Sequence, residues 1–105
     1  MIMSAFIISQ VEARDAQALA AYRRLAERSI ASFDGRYLVR GGKQSVLEGD
    51  WTGQTVIVEF PSLERARAWY DSPDYASARA LAPKALTRNL LLIEGVAPLR
   101  SESGA

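Results

Sequence analysis

The chain has 105 residues, with 13 Lys and Arg against 12 Asp and Glu, a net charge of +1 and 49% apolar residues. That is the size and make-up of one soluble globular domain, and the interspersed charges form no basic stripe of the kind that binds nucleic acid. Cysteine and histidine are both absent, which excludes disulfides, thiolate catalysis, the usual zinc and haem ligation, a Ser-His-Asp triad and any histidine base.

The N-terminal stretch MIMSAFIIS is apolar but short, with no basic flank or clear cleavage site. It reads as a strand rather than a secretion signal. Ala5 to Val11 is that first strand. Asp15 then offers an N-cap to an Ala-rich helix, whose apolar stripe of Leu19, Tyr22, Ala26, Ile30 and Phe33 faces a core. Gly35 is expected to close this helix as its C-terminal cap. Arg36 to Arg40 is the second strand. Gly41-Gly42 breaks it, Lys43 to Glu48 resumes an extended segment, and Gly49 to Gly53 has turn chemistry before the third strand, Thr55 to Phe60. Arg36 to Phe60 thus reads as a long β-hairpin. Ser62 caps the next helix, which Ser72-Pro73 ends. Asp74 to Leu86 is a further helix that Pro83 is expected to kink or split. Leu90 to Val96 is the last strand.

The order β-α-β-β-α-β predicts a ferredoxin-like α+β fold: one antiparallel sheet with its helices on one face. A single domain over residues 1–96 is expected, with 97–105 as a loose tail. The strands AFIISQV, TVIVEF and LLLIEGV are apolar on both faces, so both faces need cover. The helices suffice for one. A second copy of the chain is the expected cover for the other, the two sheets closing a shared barrel. No stretch reaches the length of a membrane span, and the lack of cysteine suits a reducing cytoplasm.

Several motifs carry a resemblance. FDGRYLVRGG (Phe33–Gly42), LEGDW (Leu47–Trp51), VIVEFPS (Val56–Ser62), AWYDSPDY (Ala68–Tyr75) and LLIEGV (Leu91–Val96) resemble, in order and spacing, the bacterial family called domain of unknown function 1330, within the dimeric α+β barrel superfamily. The likeness runs from about Ala5 to Val96. It implies a homodimer with a barrel between the sheets. It implies little about activity, because that superfamily holds cofactor-free monooxygenases, isomerases, haem-degrading enzymes and peroxidases beside members without known chemistry. The family usually carries an Arg shortly after the position of Tyr75, where this chain has Ala82; if that Arg holds a ligand in relatives, either this chain binds something different or Arg79 or Lys84 substitutes for it.

Three groups of residues are candidates for chemistry. Arg40 and Glu59 lie on hairpin-connected strands, and strict alternation puts them on one face. Arg40 then reads as an anion anchor oriented by Glu59, itself a possible base; the alternative is a structural ion pair closing the barrel end. Glu48, Asp50 and Trp51 form a Gly-flanked turn that presents two carboxylates and an indole, suited to acid–base work beside an aromatic wall. Plain turn chemistry, with Trp51 as an interface anchor, is the alternative. Tyr22, Trp69 and Tyr75 are aromatic candidates for ligand contact, although helix-stripe aromatics are more often core. Arg36 either caps a helix end or reaches a cavity.

No acidic loop for a metal, no phosphate loop and no dinucleotide fingerprint is present, so no metal or cofactor is expected. The reading is a homodimer that binds a small organic ligand, with carboxylate-bearing molecules among the candidates, in one apolar pocket per subunit, without nucleic acid or membrane partners. The alternative is a cofactor-independent isomerase, lyase or monooxygenase with a carboxylate base (Glu59, Asp50 or Glu48) and Arg40.

Overall fold

Seven elements follow in chain order in the computed structural model, which describes residues 3–98. They are β1 (Met3–Ala13), α1 (Ala16–Ser32), β2 (Arg36–Arg40), β3 (Gln54–Phe60), α2 (Leu63–Asp71), α3 (Pro73–Ala85) and β4 (Leu86–Pro98). The strands form one sheet in the order β2-β3-β1-β4, every neighbouring pair antiparallel. This is the ferredoxin-like α+β arrangement. The expected C-terminal tail lies outside the described residues from position 99 on.

Side-chain caps set the helix starts. Asp15 accepts from the N–H of Ala18 at 2.9 Å, and Ser62 from that of Arg65 at 3.0 Å. Ser72 serves two helices. Its N–H donates to the Trp69 carbonyl at 3.1 Å to end α2, and its Oγ accepts from the N–H of Tyr75 at 3.1 Å to begin α3. Pro73 follows at the first helical position, where a missing N–H costs nothing. Each such cap contributes about 1 kcal/mol.

Two expectations about the helices are corrected. Gly35 is not the left-handed cap of α1; Asp34 takes that conformation, at φ 63°. Gly35 is required for space instead, because a Cβ there would lie 2.7 Å from both Ile30 and Phe60. Nor does Pro83 split α3, which runs unbroken through it to Ala85. Pro83 sits in the last turn, where little helix remains to be lost, and its carbonyl accepts from Arg14 Nη1 at 3.0 Å.

One sheet face is the core. Ala5, Ile7, Val58 and Phe60 are buried on it against Ala26 and Ile30 of α1, Ala66 and Trp69 of α2, and Tyr75 and Ala78 of α3. The opposite face carries Phe6, Ile8, Ile57, Leu91 and Ile93 side by side in register. Leu91 is 52% exposed and Ile93 50% exposed, since all three helices lie on the other side. One face is thus covered, and the apolar residues of the other lack cover from this chain's own helices.

The hairpin differs from expectation. Residues 41–53 form an irregular loop, and Lys43 to Glu48 is not a strand. Within β2 the register slips by one residue: Tyr37 pairs with Val58, but Val39 pairs with Ile57. Leu38 is the extra residue of a β-bulge, and everything after it changes face. Arg36 therefore stays opposite Glu59 on the bare face, while Arg40, opposite Val56, turns toward the helices.

Candidate ligand site

The helix layer does not sit flush on the sheet. Ala18 of α1 packs with Ala82 and Ala85 of α3, and such small side chains let the two helices approach closely. α1 runs close along α3 and meets the sheet core through Ala26 and Ile30. A cavity of about 270 Å³ opens in the gap, near the low end of small-molecule pockets. Its floor is the core face of the sheet, including Ile7, Ser9, Val11, Val56, Val58 and Leu90. Its roof is α1, with Leu19, Tyr22, Arg23, Ala26 and Ile30.

The polar groups stand at the two edges of this greasy space. On the β2 side are Tyr37 and Arg40, with Gln54 of β3 beside them. Arg40 is paired with Glu27 of α1, both side chains being nearly half exposed. On the β4 side is Arg88. It donates from Nη1 to Tyr22 Oη at 2.6 Å and from Nη2 to Tyr75 Oη at 2.8 Å. The two phenol oxygens are themselves 2.7 Å apart, which closes a triangle.

Tyr75 is fully buried. Burial, and then the neighbouring Tyr22, push its phenol well above the ordinary tyrosine range; Arg88 only partly offsets this. Burial raises the Tyr37 phenol as well. For Arg88, burial works against the charge, but the oxygens of Tyr22 and Tyr75 outweigh it and its pKa is raised. Trp69 is 2% exposed; its Nε1 donates to Ser29 Oγ at 3.0 Å, so its polar edge is satisfied within the protein while its ring borders the cavity.

The candidates from sequence thus fall into separate places. Tyr22, Trp69 and Arg40 line the cavity, and Tyr75 stands behind Tyr22. Arg36 and Glu59 pair with each other at 2.9 Å, on the far side of the sheet. This corrects the Arg40–Glu59 pair, and the cause is the bulge at Leu38. Glu48 and Trp51 border a shallow cleft in the 41–53 loop, where Trp51 Nε1 donates to Thr55 Oγ1 at 3.0 Å. Asp50 is exposed on the same loop. None of Glu48, Asp50 and Glu59 borders the cavity.

Arg88 escapes a reading that starts the last strand at Leu90. The signal is the alternation Leu86, Arg88, Leu90, Leu92, which puts Arg88 on the core face once the strand is extended to Leu86. Ala82 is buried against Ala18, and the carbonyl of Tyr70 accepts from Arg79 at 3.0 Å. Lys84 is exposed, and neither Arg79 nor Lys84 reaches the cavity.

An antiparallel sheet with helices on one face and a cavity beneath the first helix defines a ferredoxin-like α+β protein. Within that class the chain belongs to the domain of unknown function family DUF1330, whose sequence model matches residues 4–96. It is 41% identical over 59 residues to Protein YciI of Escherichia coli, a stretch covering 51% of this chain and 60% of that protein. The chain therefore spans less than two thirds of the curated relative it matches. Among solved structures it resembles the protein of unknown function RPA0582 from Rhodopseudomonas palustris (TM-score 0.74, 20% identity, 93% of this chain and 86% of that one). It also resembles a dimeric ferredoxin-like protein of unknown function from Bacteroides fragilis (TM-score 0.58, 13% identity, 88% and 96% covered). A third is SnoaB of Streptomyces nogalater, a cofactor-independent oxygenase (TM-score 0.57, 14% identity, 94% and 99% covered). At these identities the structural likeness is one of fold.

Proposed function

We propose that this protein is a cytoplasmic homodimer that binds a small, carboxylate-bearing organic molecule in one cavity per subunit. The observation that carries the reading is the cavity under α1: its walls are mostly aliphatic, Arg23, Arg88 and the Glu27-paired Arg40 border it, and among the described residues no acidic one lines it. Apolar walls with a few converging polar groups are the usual make-up of a ligand pocket, and the imbalance of charge favours an anion. The bare face of Phe6, Ile8, Ile57, Leu91 and Ile93 supports the dimer, because a monomer would leave that surface in water. The dimeric description of the Bacteroides fragilis protein agrees with this.

The test is native mass spectrometry of the purified protein against a library of carboxylate metabolites and their neutral amides or alcohols. Carboxylates retained at one per chain on a dimer support the reading. A dimer that retains no library member counts against a ligand role.

A second reading, a cofactor-independent enzyme, draws on the same cavity. A tyrosine hydroxyl backed by a guanidinium is the kind of donor that stabilises a developing oxyanion. In that case Tyr22 and Arg88 carry the chemistry, and the carboxylates Glu48, Asp50 and Glu59 do not supply the base from within this cavity.

A further inference from the structure

Arg88 is half-buried, and its side-chain partners are two phenols. No carboxylate pairs with it among the described residues. A phenol satisfies N–H groups but leaves the positive charge unneutralised, and burying such a charge is costly. Arg40, at the other edge, already has Glu27.

Proton counting adds a direction. Arginine only donates. Tyr75 is fully buried, and its oxygen has two side-chain partners, Arg88 and Tyr22. The proton of Tyr75 therefore has one acceptor, Tyr22 Oη. Tyr22 Oη then accepts from both Arg88 and Tyr75, which uses both of its lone pairs. Its own proton has no acceptor in the triangle, and Tyr22, unlike Tyr75, borders the cavity. The opposite arrangement would strand a proton on the fully buried oxygen. On the floor, Ser9 is 6% exposed and borders the same space.

We propose that Arg88 and Tyr22 form the seat of the ligand's carboxylate, one oxygen taking the Tyr22 proton and the other a spare N–H of Arg88. Tyr75 is a positioning residue that keeps the Tyr22 proton pointed at the ligand. The remainder of the ligand is compact and apolar, lying along Val11, Leu19, Val56 and Leu90, so the class is an aryl or branched aliphatic monocarboxylate. This assignment rests on the cavity being the ligand site.

The experiment follows benzoate, with benzyl alcohol as neutral counterpart, by methyl and tyrosine ¹³Cζ NMR on the full chain. Benzoate is expected to shift the methyls of Val11, Leu19 and Leu90 and to move the Tyr22 ¹³Cζ resonance more than that of Tyr75. Tyr22→Phe weakens benzoate by about tenfold or more, the loss of a hydrogen bond to a charged group, and changes benzyl alcohol much less. In Tyr75→Phe, the Tyr22 resonance loses most of its response to benzoate; an undiminished response overturns the positioning role. Benzoate binding that is equal in Tyr22→Phe and the unsubstituted protein overturns the seat while leaving the cavity a ligand site. Should Tyr75→Phe fail to fold, the relative movement of the two resonances in the unsubstituted protein decides, and the reverse order overturns the proposal. No response of the cavity methyls to benzoate, phenylacetate or hexanoate removes the cavity reading and the seat with it.

Discussion

The phenol oxygens of Tyr22 and Tyr75 stand 2.7 Å apart, one carried by the middle of α1 and the other by the first turn of α3. With Arg88 of β4 they tie together three elements around one edge of the cavity. The packing of α1 on α3 is apolar and built of alanines, so this triangle is a polar lock on an otherwise greasy contact.

Removing the hydroxyl of Tyr75 leaves the rings in place and takes away one acceptor of Arg88. Tyr75→Phe is expected to destabilise the fold by about 1–3 kcal/mol, the cost of an unsatisfied buried donor. Urea denaturation followed by circular dichroism measures it. A loss within error of zero would mean that water replaces the hydroxyl.

Stability should also fall in alkali. The folded-state pKa of Tyr75 is raised above its ordinary value of 10.0, by burial first and then by Tyr22. Below about pH 10 both the folded and unfolded chains hold this proton. Above it the unfolded chain releases the proton while the folded chain keeps it, so stability declines as pH rises. Tyr37 adds to the same trend, also through burial. Urea midpoints between about pH 8 and 11 should be flat and then fall, and Tyr75→Phe should fall less steeply.

Gly53 closes the 41–53 loop at φ +78°, and a Cβ there would lie 2.3 Å from the carbonyl oxygen of Val11. That oxygen belongs to the cavity floor strand and cannot swing away. Gly53→Ala is expected to cost well over about 1 kcal/mol, because strain and overlap act together. Gly42→Ala, whose Cβ would meet nothing within 4 Å, is the control. Thermal denaturation of the two variants compares them directly.

Ile93 is 50% exposed in the middle of the bare face. Ile93→Glu would place a charge at the centre of the proposed subunit contact, where an unpaired carboxylate is strongly disfavoured. Sedimentation velocity should show the unsubstituted protein as a dimer and the variant shifted toward monomer, with far-ultraviolet circular dichroism unchanged. A monomer in both would remove this face as the contact.

The parts readable from the sequence were those fixed by local chemistry. Asp15 and Ser62 cap helices because a short polar side chain next to an apolar stripe has little else to do, Ser72-Pro73 stops α2, and the two-faced strands follow from their lack of alternation. Faces in β2 were beyond reach. Nothing in RYLVR marks Leu38 as an extra residue, and the slip exists only relative to β3. Arg88 was hidden differently: TRN is a weak strand segment on propensity, and pairing with Val11 draws it into β4. The cavity itself depends on how far α1 leans toward α3, which small residues permit but do not announce.

The bulge at Leu38 makes the register of β2 a chemical variable. At its present length but paired with β3 without the bulge, the strand would set Arg40 opposite Thr55, on the surface where Glu59 lies, and free Glu27 of its cation, while the aliphatic walls of the space under α1 stayed as they are. Relatives in which β2 runs straight at this point would then offer their guests a different set of charges on an unchanged scaffold.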